Sequence, residues 1–227
     1  MKKIMTETRQ HFVEEAALQA IFPKSIEQFA EIHDFDAGEF INVEGDEPAY
    51  LYYILSGKVK VYFTQSNGKV ALLHFLGTHS FIGDMELLEA RYYSKGIQAS
   101  QKTRCLAFPT VHVRELLLND VTFLRHLALY MSKKIMHNSA KMSQSLAYPL
   151  ENRLAEFILM SENNGIYKEK HTEAAEFLGV SYRHLLHVLA QFVERGLLQK
   201  DGRCYILRQK SILEEMATSI FATAIHD

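Results

Sequence analysis

Hydrophobic and polar positions along this chain follow two different periods, and the change between them falls near residue 110. From Ile32 to about Phe108, short runs rich in β-branched and aromatic residues recur, at 39–43, 50–55, 58–64, 70–75 and 105–108. Gly38, Gly45-Asp46, Ser56-Gly57, Asn67-Gly68 and Gly77 separate them. Many short strands at this spacing predict a jelly-roll-like barrel or sandwich. Asn67-Gly68, between VKVYF and KVALLHF, is its clearest hairpin. Residues 7–30 predict a short helical lead-in, interrupted at Pro23, with Ser25 as a fresh cap. Residues 83–90 (GDMELLEA) predict a tight turn and a short helix inserted between strands.

Beyond Val111 the period is helical. Over residues 121–146, Leu124, Ala128, Met131, Ile135, Asn138, Met142 and Ser145 are spaced 4-3-4-3-4-3. That spacing is a coiled-coil seam about three heptads long, and a single polar Asn138 in it can fix register and partner number. The expectation is a homodimer interface rather than a long helix lying only on its own domain. Tyr148-Pro149 ends the helix, because the residue before proline avoids the helical region. A further amphipathic helix over 150–161 and a turn at Asn163-Asn164-Gly165 follow.

The stretch 172–193, TEAAEFLGVSYRHLLHVLAQFV, predicts two short helices joined by a tight turn. Thr172 is the expected N-cap of the first, with Glu173 where the helix dipole favours a negative charge. Gly179 falls where that helix must end, and Ser181 caps the second. Ala174, Ala175, Leu178, Val180, Leu185 and Val188 form the apolar side, while Tyr182, Arg183, His184 and His187 face outward. This is the layout of a DNA-binding helix-turn-helix, although an ordinary helical hairpin would share the cap, the glycine and the apolar pattern. Gly196 ends the second helix, and Asp201-Gly202 between two β-capable runs then predicts a two-residue hairpin turn. Helix, turn, helix and hairpin together make a winged helix.

Charge changes the picture locally. The whole chain carries −2, yet residues 166–210 hold eight Lys/Arg against five Asp/Glu, a net +3. The basic face is therefore a patch, as an interface to nucleic acid requires. The 227 residues suffice for two modest domains, and 48% hydrophobic with 23% charged is ordinary for a globular chain. No run approaches the roughly 20 apolar residues that cross a bilayer, and MKKIMTETRQHF lacks the apolar core of a secretory signal. A reduced, cytoplasmic protein is the expectation, without a membrane partner. The two cysteines, Cys105 and Cys204, exclude by count a Cys-only zinc site or an iron–sulfur cluster. No metal site is expected.

A glycine-punctuated barrel, a long helix and a C-terminal winged helix, in that order, resemble the CRP/FNR family of bacterial transcription regulators over essentially the whole chain. The likeness is carried by Gly38, Gly45-Asp46, LYYILSGKVKVY at 51–62, Asn67-Gly68, Phe81-Ile82-Gly83-Asp84 and the helix-turn-helix. LGVSYRHLL at 178–186 and LLLNDVTFLRHL at 116–127 resemble the YeiL branch within it. The resemblance implies an α+β fold: a lead-in and cyclic-nucleotide-binding-like β-barrel over 1–118, a dimerisation helix over 119–147 and a winged-helix DNA-binding domain over 148–227. It implies a homodimer on double-stranded DNA at an inverted repeat, which contacts RNA polymerase or blocks its access. By analogy Tyr182, Arg183 and His187 fall where bases are read, Ser181 and His184 lie near phosphates, and Thr172 is counted among the DNA-binding residues. Leu186 is suited either to a thymine methyl or to the domain core. The dimer interface falls on Leu124, Ala128, Met131, Ile135, Asn138 and Met142.

Cyclic-nucleotide members use a glycine–glutamate pair and, some ten residues later, an arginine on the cyclic phosphate. Here Gly83 is followed by Asp84, and Ser94 falls near the arginine position, with Arg91 and Lys95 out of register. A buried phosphate without a bidentate cation is poorly compensated, so these departures argue against cAMP or cGMP and leave some other small-molecule effector open. No cofactor is predicted. Two other classes of function have requirements of their own. A cupin-like enzyme needs a clustered HxH with a carboxylate, which the chain lacks, so no catalytic residue is assigned. A protein–protein adaptor using the winged helix would bind without regard to DNA sequence or salt.

Overall fold

The computed structural model describes residues 2–4, 16–66, 68, 70–89 and 94–218, with side chains at 2–4, 16–17, 137–138, 140–146 and 218 left undescribed. Its contacts divide it into two compact units, 1–135 and 136–227.

The first unit is a two-sheet antiparallel barrel with helices on one face. One sheet has the order β1-β2-β9-β4-β7, built from β1 (Lys2–Ile4), β2 (Glu31–Phe35), β9 (Thr103–Pro109), β4 (Tyr50–Ser56) and β7 (Phe81–Ile82). The other has the order β3-β8-β5-β6, from β3 (Phe40–Asn42), β8 (Gly96–Ala99), β5 (Val59–Thr64) and β6 (Val70–Leu76). The hairpin expected at Asn67-Gly68 joins β5 to β6, which pair from Val59↔Leu76 to Thr64↔Val70, while Asn67 itself lies outside the described residues. The strands β1, β2, β7 and β8 were not expected.

Strand β4 explains why this stretch is the most legible. Its even residues Tyr52 and Ile54 join Phe35, Val59, Val61, Ile97 and Cys105 between the sheets. Its odd residues Leu51 and Tyr53 join Phe81, Leu106 and Phe108 on the opposite face, under helical cover. Both faces are buried, so a strand with period-two geometry shows as a continuous apolar run. The cover comes from α1 (Ala16–Gln19), a 3-10 helix (Lys24–Phe29), α3 (Thr110–Leu118) and the start of α4 (Val121–Ala147), through Leu18, Phe22, Ile26, Val113, Leu117, Phe123 and Leu127. The 3-10 helix is capped at Pro23 without a side-chain bond, so Ser25 lies inside it and is not the cap.

The second unit contains α5 (Leu150–Ser161), the two short helices, α8 (Lys210–Thr218) and a three-stranded sheet in which β12 (Cys204–Leu207) lies between β10 (Ile166–Tyr167) and β11 (Leu198–Asp201). The predicted turn before β10 (Ile166–Tyr167) forms at Asn164-Gly165, both at positive φ, closed by an Asn163↔Ile166 bridge.

Candidate nucleic-acid interface

Helix α6 spans His171–Leu178. It begins one residue earlier than the expected cap: Lys170 stands at the N-cap with no side-chain bond, and Thr172 is an exposed residue of the first turn. The expected hydroxyl cap is absent, and the start of the helix carries a Lys170–Glu173 side-chain ion pair at 3.1 Å. With Lys170 79% exposed, that pair contributes at most about 1 kcal/mol. The helix closes on Gly179 at φ 64, where a Cβ would cost about 1–2 kcal/mol. The Gly179 and Val180 amides donate back to the Glu176 and Ala175 carbonyls, a Schellman closure. Arg153 of α5 donates from Nη1 to the Leu178 carbonyl at 2.7 Å and ties the turn to the domain core.

Helix α7 spans Tyr182–Glu194 and is capped as expected: the Ser181 hydroxyl accepts from the His184 amide at 3.2 Å. Leu185, Val188, Leu189 and Phe192 are buried, one stripe at helical spacing that fixes which side of α7 faces outward. Tyr182, Arg183, His184 and His187 lie on the exposed side, Tyr182 at 50% exposure. Leu186 is half-buried, between the two roles considered for it. The His187 ring is held 3.2 Å from the Gln191 amide one turn on.

The wing follows, as β11 (Leu198–Asp201) and β12 (Cys204–Leu207). Asp201 pairs with Cys204, so the two-residue loop is Gly202-Arg203 and not the expected Asp201-Gly202. Gly202, at φ 55, takes the first central position, where a tight hairpin turn needs positive φ, and Arg203 is carried to the exposed tip. Lys200 is exposed on β11, opposite Tyr205 of β12. His171 was not singled out in the sequence. Its ring lies 6.3 Å from that of Tyr182 and 5.9 Å from that of Tyr205. Burial, and then the Lys200 charge, hold its pKa below the usual 6.5.

In the barrel, Gly83 caps the short helix α2 (Asp84–Leu88) at φ 86, and a Cβ there would meet the Tyr50 carbonyl at 3.0 Å. Asp84 is buried and paired with Lys134 Nζ of α4 at 3.4 Å. Ser94, also buried, donates its hydroxyl to the carbonyls of Val43 (2.9 Å) and Asp46 (2.6 Å). Both side chains are thus engaged within the chain. Arg91 lies outside the described residues. Burial pushes the Cys105 thiol up to about 12, and Cys204 Sγ donates to the Asp201 carbonyl. Among the described residues no three His, Cys, Asp or Glu side chains are gathered as metal ligands, and no helix is long and apolar enough to cross a membrane.

On α4, Leu124 and Met131 pack partly against the barrel's own helical core, whereas Ala128 and Ile135 are exposed, Ile135 at 65%. The side chains of Asn138 and Met142 lie outside the described residues.

Residues 32–120 match the cyclic nucleotide-binding domain family. Regulatory protein YeiL of Escherichia coli is 41% identical over 203 residues, covering 89% of this chain and 93% of that one. The chain belongs to the CRP/FNR family. A cyclic AMP receptor protein of Thermus thermophilus is 25% identical over 186 residues, or 81% of this chain and 86% of that protein. Among solved structures, a CRP/FNR-family protein from Eubacterium rectale superposes at TM-score 0.69 with 16% identity, covering 92% of this chain and 96% of that one. A CRP/FNR-family regulator from Thermus thermophilus gives 0.65 at 21% identity, covering 82% and 97%. At these identities the superpositions establish the fold: barrel, long helix and winged helix in one chain.

Proposed function

We propose that this CRP/FNR-family transcription regulator acts as a homodimer on an inverted-repeat operator, with α7 in the major groove. The observation that carries the reading is the division of α7. Its apolar stripe is buried, and the opposite face presents Tyr182, Arg183, His184 and His187 from its first two turns, where a recognition helix meets base edges. Arg183 donates two hydrogen bonds to a guanine edge, discrimination typically worth about 1–3 kcal/mol. Tyr182 and His187 read neighbouring positions, and Ser181, His184 and Thr172 lie along phosphates. The exposed apolar residues Leu129, Ile135 and Met136 on α4 support self-association, since a solvent-exposed row of this kind is ordinarily covered.

The barrel acts as sensor around Gly83, Asp84 and Ser94, and biases the paired long helices that set the spacing of the two recognition helices. A ligand other than a cyclic nucleotide suits it better, because Ser94 offers no cation and Asp84 is engaged by Lys134. Output follows from contact with RNA polymerase or from blocking its access.

The test is selection of bound duplexes from a random pool at fixed, near-physiological salt, with and without a small-molecule extract of host cells and with cAMP or cGMP in separate arms. Enrichment of an inverted repeat supports the reading, and enrichment only with extract supports a separate effector. Enrichment dependent on cAMP or cGMP overturns the sensor assignment. Binding indifferent to sequence and salt in every arm overturns the DNA reading in favour of an adaptor.

A further inference from the structure

We propose that His171 is a positioning residue that sets the orientation of Tyr182 and makes the wing part of base recognition. The inference rests on the reading of α7 as the recognition helix. Tyr182 is the first residue of α7, half exposed, and its ring has a single described aromatic neighbour on the protein side, His171. A tyrosine ring at a helix start is free to vary in a staggered χ1 and a broad, two-fold χ2 unless something packs against it.

Behind His171 the packing continues inward without a break. Its ring lies 5.9 Å from Tyr205 of the wing, and Tyr205 lies 6.0 Å from Tyr167. Tyr205 and Tyr167 are also direct partners across β10 and β12. Tyr167 is fully buried and meets Phe157 of α5 edge-on at 6.2 Å. A file of rings therefore runs from the core of the second unit, through the wing, to the first exposed side chain of α7. The centroid spacings all lie within the 4.5–7 Å over which aromatic pairs attract.

His171 is the one member that belongs to α6, so it is where both helices of the helix-turn-helix and the wing meet. Burial first, and then Lys200 across from Tyr205 on β11, disfavour the charged imidazole. Lys170 and Glu173 on α6 neutralise one another nearby. The ring is thereby kept as a neutral packing surface and not as a further cation. A wing displaced by DNA or by mutation moves Tyr205, then His171, then Tyr182.

The experiment uses the full chain and a selected operator duplex, with a panel of single-base substitutions read by fluorescence anisotropy. Tyr182→Ala, His171→Ala, His171→Phe and the His171→Ala/Tyr182→Ala double variant are compared, and thermal melts confirm folding of each. Tyr182→Ala identifies the base step that Tyr182 reads. His171→Ala is expected to lower discrimination at that step by about two- to tenfold, leaving the Arg183 step unchanged. Phe at 171 restores it, and the double variant is no worse than Tyr182→Ala alone. Should Tyr182→Ala change no step, the reading of Tyr182 fails and the inference with it. Should Tyr182→Ala change one while His171→Ala does not, or the two effects add, only the inference fails. An equal loss across all duplexes with a shallower salt dependence, unrescued by Phe, would instead make His171 a phosphate contact and overturn the positioning role.

Discussion

Ser181 is assigned two tasks that a single substitution can separate. Its hydroxyl accepts from the His184 amide at 3.2 Å, and the same residue is exposed on the side of α7 proposed to face phosphates. Ser181→Ala removes the cap and leaves an orphan donor in the first turn, at a cost of about 1 kcal/mol within a usual span of about 0.5–2. Ser181→Asp keeps a good capping acceptor and adds a negative charge where the helix dipole favours one by about 0.3–1 kcal/mol, so its thermal stability should match or exceed the parent. The new carboxylate, however, faces the DNA. A charge about 4 Å from a phosphate costs about 1 kcal/mol in bulk water and about 4 kcal/mol near a protein surface, so affinity should fall at least about fivefold. The loss should be the same for every duplex, since phosphates carry no sequence, and should shrink as salt rises. Melting curves without DNA and anisotropy titrations at two salt concentrations read both halves. An Asp variant that melts like Ala would refute the cap, and one that binds like the parent would remove Ser181 from the phosphate face.

Arg183→Ala should relax preference at one base step by about 1–3 kcal/mol while leaving other steps intact, and full discrimination in a repeat of the duplex selection would take Arg183 out of the reading. The long helix should separate into two kinds of position: Ile135→Glu should lower self-association in analytical ultracentrifugation with little change in monomer stability, whereas Leu124→Ala, partly packed on its own core, should cost about 1–2 kcal/mol of stability first. Acid should destabilise the chain. Burial, and then Lys133 for His126 and Lys200 for His171, hold both imidazoles below the usual 6.5. The unfolded chain therefore binds more protons just below that pH, so stability rises with pH there and is lost as pH falls through about 6.5. Denaturant midpoints at pH 7.5 and 5.5 should differ less in the His126→Gln and His171→Gln variants than in the parent, and an unchanged difference would refute the assignment.

What the sequence made legible follows a physical rule that particular residues expose. Ser181 and Gly179 were readable because each acts on an amide or carbonyl within five residues, so local spacing alone states the role. The double-faced strand β4 announced itself because both of its faces are buried. Local rules misplaced what a neighbour or a distant partner decides. Thr172 looked like a cap, but the helix extends back through His171, whose ring is held by the wing. Asp201-Gly202 looked like the turn, yet the register of β11 against β12 pairs Asp201 with Cys204 and moves the loop on by one. Strands β2 and β8 escaped notice because EIHDF and GIQA carry polar or small residues that cross-strand partners 28 to 76 positions away stabilise as β-structure.

The candidate sites divide along the same line. The outward face of α7 is written in one helical period, so its members could be named together. The barrel residues could not be judged from their own neighbourhood. Asp84 is answered by Lys134, fifty positions on, and Ser94 by carbonyls at Val43 and Asp46, some fifty positions back. Counting departures from the family's glycine–glutamate–arginine pattern says what these residues fail to provide. Only the fold shows where their polar atoms are directed instead. A substituted site residue that is buried and donates to carbonyls of a distant loop, as Ser94 does to Val43 and Asp46, serves the scaffold. A ligand seated around Gly83, Asp84 and Ser94 must then draw most of its polar contacts from groups other than these two engaged side chains. That is why the selection experiment is run with an unfractionated extract beside the cyclic nucleotides.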